Sequence, residues 1–279
     1  MFTLNVRGKL LEVDKPLIMG IINVTPDSFY EGSRFMDIEG ILQQAGKMIR
    51  EGADLLDIGG QSTRPGATEL SLEEESDRVL RAIEALRTTF PGILLSVDTW
   101  YAQLAREAVE AGASLVNDIS GGSLDEQMLD TVGRLGVPYV CMHMKGRPGT
   151  MNKEAVYENV TKEVLDYFIR RMEDCRKAGI HDVILDPGLG FAKNAGHNFQ
   201  LLKELSAFKI CDRPILIGLS RKSFIYKTLG IPVEEALNGT TVLHTLALLN
   251  GAAILRVHDP KEAKQAVSLL EAYKKEQAR

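Results

Sequence analysis

The chain repeats one short pattern eight times: a run of apolar, β-favouring residues that ends on a polar side chain. Residues 183–193 show it most fully, since Val183, Ile184 and Leu185 lead into Asp186 and then a Pro-Gly break. A short apolar run bounded by turn residues is typical of a strand buried on both faces. A carboxylate at the edge of a core is costly unless it is paired. Asp186 is therefore either a helix N-cap or loop-stabilising acceptor, or a group that faces a ligand.

The recurrence of the pattern predicts the fold. Seven further segments have the same form and alternate with segments of helical character: residues 17–23, 55–60, 94–99, 115–119, 139–143, 215–220 and 254–259. Eight such strands predict an α/β protein with a TIM (β/α)8 barrel, whose functional site lies at the C-terminal ends of the strands.

The remaining segments fit around such a barrel. Residues 2–13 alternate about Arg7-Gly8-Lys9 and predict an N-terminal β-hairpin that closes the bottom of the barrel. Helices are predicted over residues 37–51, 154–178 and 260–275, and Ser71 with Glu74 forms a capping box that begins another. Because no linker or low-complexity run interrupts the chain, we expect residues 1–279 to form a single domain.

Charge and composition argue against several classes of protein. The formal net charge of -5 argues against a nucleic-acid-binding protein, which would show a basic surface. No apolar run approaches the roughly 20 residues that span a bilayer, and the N-terminus lacks the apolar core of a signal peptide. Three scattered cysteines without a CxxC motif fit a reducing cytoplasm.

The polar groups that a barrel would gather at one end fall into two chemical sets. Acceptors suited to the two parallel N–H donors of an amidine-like edge are Asp98, Asn117 and Asp186. Donors suited to an anion such as phosphate are Thr63, Arg64, Lys222, Arg256 and His258. Asn23 and Ser220 also end predicted strands. One ligand with a polar heterocycle and a phosphate tail would satisfy both sets.

Other polar residues favour structural roles. We expect Asp57, Asp118 and Asp259 to cap neighbouring loops. The histidines 143, 181, 197 and 244 have no partner at metal-ligand spacing and are predicted to be structural or surface residues. Gly188-Leu189-Gly190 has the wrong spacing for a dinucleotide-binding motif.

Two long motifs resemble a known family. MGIINVTPDSF at residues 19–29 and DIGGQSTRPG at residues 57–66 resemble the two signature segments of dihydropteroate synthases. Further segments are similar to that family in the same order: residues 97–99, 117–119, 185–188, 220–225 and 256–259. The resemblance covers essentially the whole chain. It departs from the family pattern at Tyr30-Glu31-Gly32, where Ser-Asp-Gly is usual, and at Gln61, where Glu is usual.

The resemblance implies a reaction in folate biosynthesis. Such enzymes are TIM barrels that condense 6-hydroxymethyl-7,8-dihydropterin diphosphate with 4-aminobenzoate, giving 7,8-dihydropteroate and diphosphate, and they are sulfonamide targets. It further implies Mg²⁺ as cofactor, small-molecule partners and a homodimer. A pterin-dependent methyltransferase domain and a catalytically inactive pterin-binding homologue are the alternatives. The methyltransferase would need no diphosphate, so the anion donors argue against it. The inactive homologue is possible because fold does not prove activity.

The resemblance also implies a role for each matching residue. Asp186 takes the pterin N3–H and 2-amino group, Asn117 and Asp98 hold the opposite edge, and Lys222 donates to the ring carbonyl. Met142 and Phe191 pack near the substrates, and Asn23 carries Mg²⁺ against the diphosphate. The further anion donors are Thr63, Arg256 and His258, and the aminobenzoate pocket consists of Phe29, Arg64, Pro65 and Ser223. The catalytic set is Arg64, Lys222 and Asp98, and the loops 24–33 and 61–66 close as lids.

Overall fold

A computed structural model describes residues 2–24, 34–61, 70–147 and 149–277 of the chain. Its strands are β1 Phe2–Val6, β2 Lys9–Val13, β3 Leu17–Asn23, β4 Leu55–Gly59, β5 Leu94–Asp98, β6 Leu115–Asp118, β7 Tyr139–Met142, β8 Val183–Asp186, β9 Leu216–Ile217 and β10 Ile254–Val257. Its α-helices are α1 Arg34–Arg50, α2 Leu72–Thr89, α3 Ala102–Ala111, α4 Met128–Leu135, α5 Val160–Lys177, α6 Ala195–Lys203, α7 Ser223–Leu229, α8 Leu237–Leu249 and α9 Pro260–Gln277.

Strands β3 to β10 form one parallel barrel, which confirms the predicted TIM (β/α)8 fold. The strands pair in the order β8-β7-β6-β5-β4-β3-β10-β9. A parallel bridge between Leu185 and Ile215 closes the ring from β8 to β9. Since every strand of the ring runs in one direction, all eight C-terminal ends open on the same face of the barrel.

Alternation along each strand gives the barrel two kinds of core. On β4, Leu56 and Ile58 pack outward against the helices, whereas Leu55 packs inward. Because side chains alternate with a period of two, Asp57 and Gly59 also point inward. The inward positions are apolar in the lower half of the barrel, nearer the strands' N-terminal ends: Leu17, Met19, Leu55, Leu115, Val140, Ile184, Leu216 and Ile254. Further along the same strands they become polar, and this change defines the site.

The N-terminal hairpin closes the lower end of the barrel, as predicted. β1 and β2 pair antiparallel around Arg7 and Gly8, and both residues have positive φ, 53° and 82°. Leu4, Val6 and Val13 join the inward apolar cluster of the barrel strands. The backbone N–H of Asn5 also donates to a carboxylate oxygen of Asp182, just before β8, at 2.7 Å. The hairpin thereby covers the lower end of the barrel core.

The largest differences between the predicted and observed elements lie in α5 and β9. The helix expected over residues 154–178 begins only at Val160, where the side chain of Asn159 accepts the N–H of Lys162 at 3.0 Å; residues 151–154 form a separate 3₁₀ turn. The strand expected over residues 215–220 has regular pairing only at Leu216–Ile217. The capping box of Ser71 and Glu74 is confirmed at the start of α2. Within the described ranges, no helix is long and apolar enough to cross a bilayer.

Candidate active site

A guanidinium held between two carboxylates forms the centre of the polar layer. Arg256 on β10 donates from Nε to Asp57 Oδ2 and from Nη2 to Asp98 Oδ2, both at 2.6 Å. Burial raises the pKa of Asp98 to about 7; Arg256 opposes this shift and Asp57 adds to it. Burial lowers the pKa of Arg256, but the charges of Asp57 and Asp98 outweigh that effect and raise it overall. The arginine therefore stays charged, while Asp98 can exchange a proton near neutral pH.

Asn117 joins this centre from β6. Its amide nitrogen donates to the same oxygen of Asp57, Oδ2, at 2.9 Å. Asn117 is buried, and it pairs in register with Asp98 on the neighbouring strand. The predicted acceptors Asp98 and Asn117 are thus brought together with the predicted donor Arg256.

Asp186 ends β8 as a buried carboxylate. Its Oδ1 accepts the N–H of Gly188 at 2.7 Å, and its backbone carbonyl accepts the N–H of His143 at 2.9 Å. Burial raises the pKa of Asp186, whereas the nearby charge of Lys222 lowers it. The carboxylate is therefore fixed in orientation and compensated mainly by one lysine.

Lys222 precedes α7 and reaches back over the loop after β8. Its ammonium donates to the carbonyl of Leu189 and lies 4.5 Å from the centre of the Phe191 ring. Burial lowers the pKa of Lys222 to about 8, although the charge of Asp186 opposes the shift. Lys222 and Asp186, which are distant in sequence, are thus electrostatic partners at the same end of the barrel.

An apolar wall lines one side of the polar layer. Met142, at the end of β7, and Phe191 belong to a small buried cluster with Trp100, Ile119, Met151 and Ala192. Flat apolar and aromatic surface beside convergent acceptors suits a planar heterocycle. The structure therefore groups the two predicted packing residues with the predicted acceptors.

The other predicted residues are placed as follows. Asn23 ends β3, Ser223 is the first residue of α7, and the exposed His258 follows β10, with its N–H 3.2 Å from Ser220 Oγ. Phe29, Thr63, Arg64 and Pro65 lie outside the described residues, as does most of the two predicted lids.

The donor set at Asn23 fits a weakly held hard cation. Its amide oxygen is a ligand type that Mg²⁺ accepts, and Mg²⁺ usually takes one or two protein ligands together with phosphate and water. Among the described residues, no three His, Cys, Asp or Glu side chains cluster as a metal site. The part of the chain that the structure describes therefore offers one ligand at this position rather than a complete cage.

Two of the three aspartates expected to cap loops do something else. Asp118 does cap its loop, because it accepts the N–H groups of Ser120 and Gly122, both at 2.7 Å. The prediction for Asp57 was wrong: it points into the barrel and accepts from Asn117 and Arg256. Asp259 forms a two-bond ion pair with Arg221 at 2.8 and 2.9 Å instead of capping a loop.

Lys193 is a buried residue that the sequence did not single out. Its ammonium meets three acceptors: His143 Nδ1 at 3.0 Å, the carbonyl of His143 at 3.2 Å and the carbonyl of Phe191 at 2.9 Å. Burial lowers the pKa of Lys193 to about 7, whereas Asp186 opposes the shift. Burial also lowers the pKa of His143, to about 2, so its ring is neutral. Lys193 therefore ties the loop after β8 to the end of β7.

Comparison with known proteins agrees with this geometry. The family model of "Pterin binding enzyme" matches residues 19–258. The dihydropteroate synthase of Escherichia coli (strain K12) is 42% identical over 269 residues, which is 95% of this chain and 94% of that protein. The corresponding enzyme of Haemophilus influenzae is 43% identical over 256 residues, 91% and 92% of the two chains.

Solved structures are similar over the same extent. The Yersinia pestis dihydropteroate synthase, in a complex with a sulfonamide drug, has a TM-score of 0.92 and 40% identity, covering 98% of this chain and 100% of that one. The Xanthomonas albilineans enzyme with 4-aminobenzoic acid has a TM-score of 0.91 and 39% identity, covering 98% of both chains. The chain therefore belongs to the dihydropteroate synthase family of pterin binding enzymes.

Proposed function

We propose that the chain condenses 6-hydroxymethyl-7,8-dihydropterin diphosphate with 4-aminobenzoate to give 7,8-dihydropteroate and diphosphate, as a transferase of folate biosynthesis. The observation that carries the proposal is the convergence at one barrel mouth of buried acceptors, Asn117 and Asp186, with the cations Lys222 and Arg256. One substrate that combines a hydrogen-bonding ring and a diphosphate needs both sets.

The pterin ring binds against the acceptor side. Asp186 takes the two parallel N–H donors of the pyrimidine edge, because charge-assisted pairs of this kind are strong and directional. Asn117 and Asp98 meet the opposite edge, Lys222 donates to the ring carbonyl, and the ring packs on Met142 and Phe191. Two interactions of Lys222 support this arrangement: its electrostatic attraction to Asp186 and its contact with the Phe191 ring.

The diphosphate lies toward the strand ends of β3 and β10. Asn23 would hold Mg²⁺ there, which would neutralise charge on the leaving diphosphate as a Lewis acid. His258 and Arg256 donate to the same anion, with Thr63. A guanidinium has five N–H donors, and its bonds to Asp57 and Asp98 use only two of them, so Arg256 keeps donors for the diphosphate.

The reaction exchanges one bond at the methylene carbon. The bond from this carbon to the diphosphate oxygen breaks, and the electron-rich dihydropterin stabilises the positive charge left behind. The aniline nitrogen then forms a bond to the carbon and loses a proton. Preorganised cations aimed at the departing oxygen lower the barrier because they need no rearrangement as charge develops. Phe29, Arg64, Pro65 and Ser223 hold the 4-aminobenzoate.

The protein acts on small molecules in the cytoplasm and forms a homodimer in this proposal. Cys141, Cys175 and Cys211 are all free and buried, which fits a reducing compartment.

One stripe of α8 exposes Val242, Leu246 and Leu249 by 53%, 44% and 48%, which suits an apolar contact with a second copy. A monomer by analytical ultracentrifugation at micromolar concentration would contradict the dimer.

Diphosphate release, measured with and without 4-aminobenzoate, tests the activity. We expect release that depends on 4-aminobenzoate, with dihydropteroate formed in equal amount, and loss of turnover in excess chelator. A pterin-binding methyltransferase or an inactive homologue would release no diphosphate under either condition, and that result would exclude the proposed reaction.

A further inference from the structure

Asp57 is more completely buried than the acceptors assigned to the substrate, Asn117 and Asp186. It is 0% exposed at the centre of β4. Its Oδ2 accepts two hydrogen bonds from other strands: one from Asn117 Nδ2 at 2.9 Å and one from Arg256 Nε at 2.6 Å. Its Oδ1 is buried without a hydrogen-bond partner in the described part of the chain. A single oxygen therefore joins β4 to both β6 and β10.

This contact decides which end of the Asn117 amide is free. An ionised carboxylate only accepts hydrogen bonds, so the NH₂ group of the amide must face Asp57. The amide oxygen then points away from Asp57, and no donor from residues 2–24, 34–61, 70–147 or 149–277 bonds to it. Asn117 consequently presents its amide oxygen to a ligand as an acceptor of N–H.

The same oxygen helps to fix the guanidinium of Arg256. The Nε bond to Asp57 and the Nη2 bond to Asp98 tie one planar group to two strands. With two anchors the plane cannot turn about the side-chain axis without breaking a charge-assisted bond. The N–H groups that remain are therefore held in fixed positions.

We propose that Asp57 is a positioning residue of the pterin pocket. It orients the amide oxygen of Asn117 toward the ring and fixes the plane of Arg256, without touching the substrate itself. The inference rests on the proposed function, because it assumes that Asn117 and Arg256 meet the pterin diphosphate.

Two substitutions separate position from charge. In Asp57→Asn, an amide oxygen in the place of Oδ2 still accepts from both Asn117 and Arg256, so we expect the affinity for 6-hydroxymethyl-7,8-dihydropterin diphosphate to stay within about threefold. In Asp57→Ala, both bonds are lost, and we expect affinity to fall by at least about tenfold, as for loss of one charged hydrogen bond. Calorimetric titration measures both.

Ser96→Ala is the matched control. Ser96 is also 0% exposed and lies two residues before Asp98 on β5, and its Oγ has no hydrogen-bond partner in the described part of the chain. We expect this variant to bind the pterin like the wild type. A loss of affinity equal to that of Asp57→Ala would mean that any change in the buried layer disturbs the pocket, and would overturn the assignment.

The pH dependence of binding gives a readout that a merely structural role would not move. The charges that act on Asp98 are those of Arg256, Asp57, Glu75 and Asp118. Asp57→Asn removes a carboxylate that raises the pKa of Asp98. The pH below which pterin binding weakens, because Asp98 becomes protonated, should therefore be lower in this variant, while affinity at about pH 8 is kept. If Asp57→Ala does not fold, Asp57→Asn alone decides. Loss of affinity at about pH 8, or no change in the pH below which binding weakens, would overturn the proposal.

Failure of the inference and failure of the proposed function give different results. If the wild type does not bind the pterin diphosphate, the proposed function is wrong. If the wild type binds and Asp57→Ala binds equally well, the function stands and the positioning role of Asp57 is wrong.

Discussion

Asp186 is the residue whose chemistry most narrowly defines the ligand. One of its oxygens accepts the N–H of Gly188, which fixes the carboxylate plane. That oxygen keeps a second lone pair, so both oxygens can accept from the two N–H donors of a ligand. An amide at this position would keep its oxygen on Gly188 and turn NH₂ toward the donors of the pterin edge.

We therefore predict that Asp186→Asn weakens pterin binding by roughly 10- to 100-fold, since a hydrogen bond to a charged group contributes about 1.5–3 kcal/mol. Calorimetry on the pterin alone measures this change. Asp182→Asn is the control, because Asp182 lies just before the same strand at its other end and accepts from Asn5. Equal affinity of Asp186→Asn and wild type would place the pterin elsewhere.

Lys193 makes stability depend on pH. Burial lowers its pKa from 10.5 to about 7, so between these values the unfolded chain holds a proton that the folded chain lacks. Stability from this group therefore rises with pH across that window. We predict that wild type gains more stability than Lys193→Met between about pH 6 and about pH 9 in urea unfolding.

The matched control is Lys261→Met, an exposed lysine on α9, which should follow the wild-type dependence. If Lys193→Met shows the same pH dependence as the wild type, the buried ammonium does not titrate in this range.

At the scale of elements, Gln61 holds the two ends of the segment between β4 and α2. Its amide nitrogen donates to the carbonyl of Leu70 at 3.0 Å and to Glu75 Oε2 at 2.9 Å, while its oxygen accepts the N–H of Leu70 at 3.1 Å. Glu75 is fully buried. A glutamine serves here because it can donate to that buried carboxylate.

Gln61→Glu, the residue usual in the family, should therefore be unfavourable in this chain. The substitution removes two N–H donors and brings two carboxylates together. We expect it to lower the free energy of unfolding by about 1–3 kcal/mol at neutral pH, and protonation of one carboxylate at acid pH should partly restore the stability. Gln43→Glu is the control, since Gln43 also donates to a glutamate, Glu39, but on the exposed face of α1. Urea midpoints of Gln61→Glu and Gln43→Glu that fall equally would contradict this account.

The sequence predicts the strand ends well because a polar residue after an apolar run is a local signal. Asp98, Asn117, Asp186 and Arg256 are found on the strands by that rule alone. The start of α5 was misjudged because an isolated 3₁₀ turn at Met151–Glu154 carries the same local helical preference.

Contacts between distant segments explain what was missed. Asp57 resembled a loop cap, yet the period of two on β4 turns it inward, toward partners on β6 and β10. Lys193 bonds to a ring nitrogen and carbonyl of His143, 50 residues away. No local pattern in the chain records either pairing.

At the scale of the molecule, the barrel has an apolar lower half sealed by the hairpin and a polar upper half. Leu4, which is 2% exposed, inserts into the lower half. We predict that Leu4→Ala lowers the free energy of unfolding by about 2–5 kcal/mol, while turnover per folded molecule is unchanged.

Leu10→Ala serves as the control from the same hairpin, because Leu10 is 70% exposed and should change stability by about 0.5 kcal/mol or less. Urea unfolding and steady-state kinetics together give both quantities. A loss of turnover in folded Leu4→Ala would show that the two halves are coupled.

The central claim is that the inward polar layer at the strand ends binds the pterin. A crystal structure of the protein with 6-hydroxymethyl-7,8-dihydropterin diphosphate tests it most directly. We predict the pyrimidine edge within hydrogen-bond distance of the Asp186 carboxylate, the opposite edge at the amide oxygen of Asn117, and the ring against Phe191. A pterin bound away from these three residues would contradict the account.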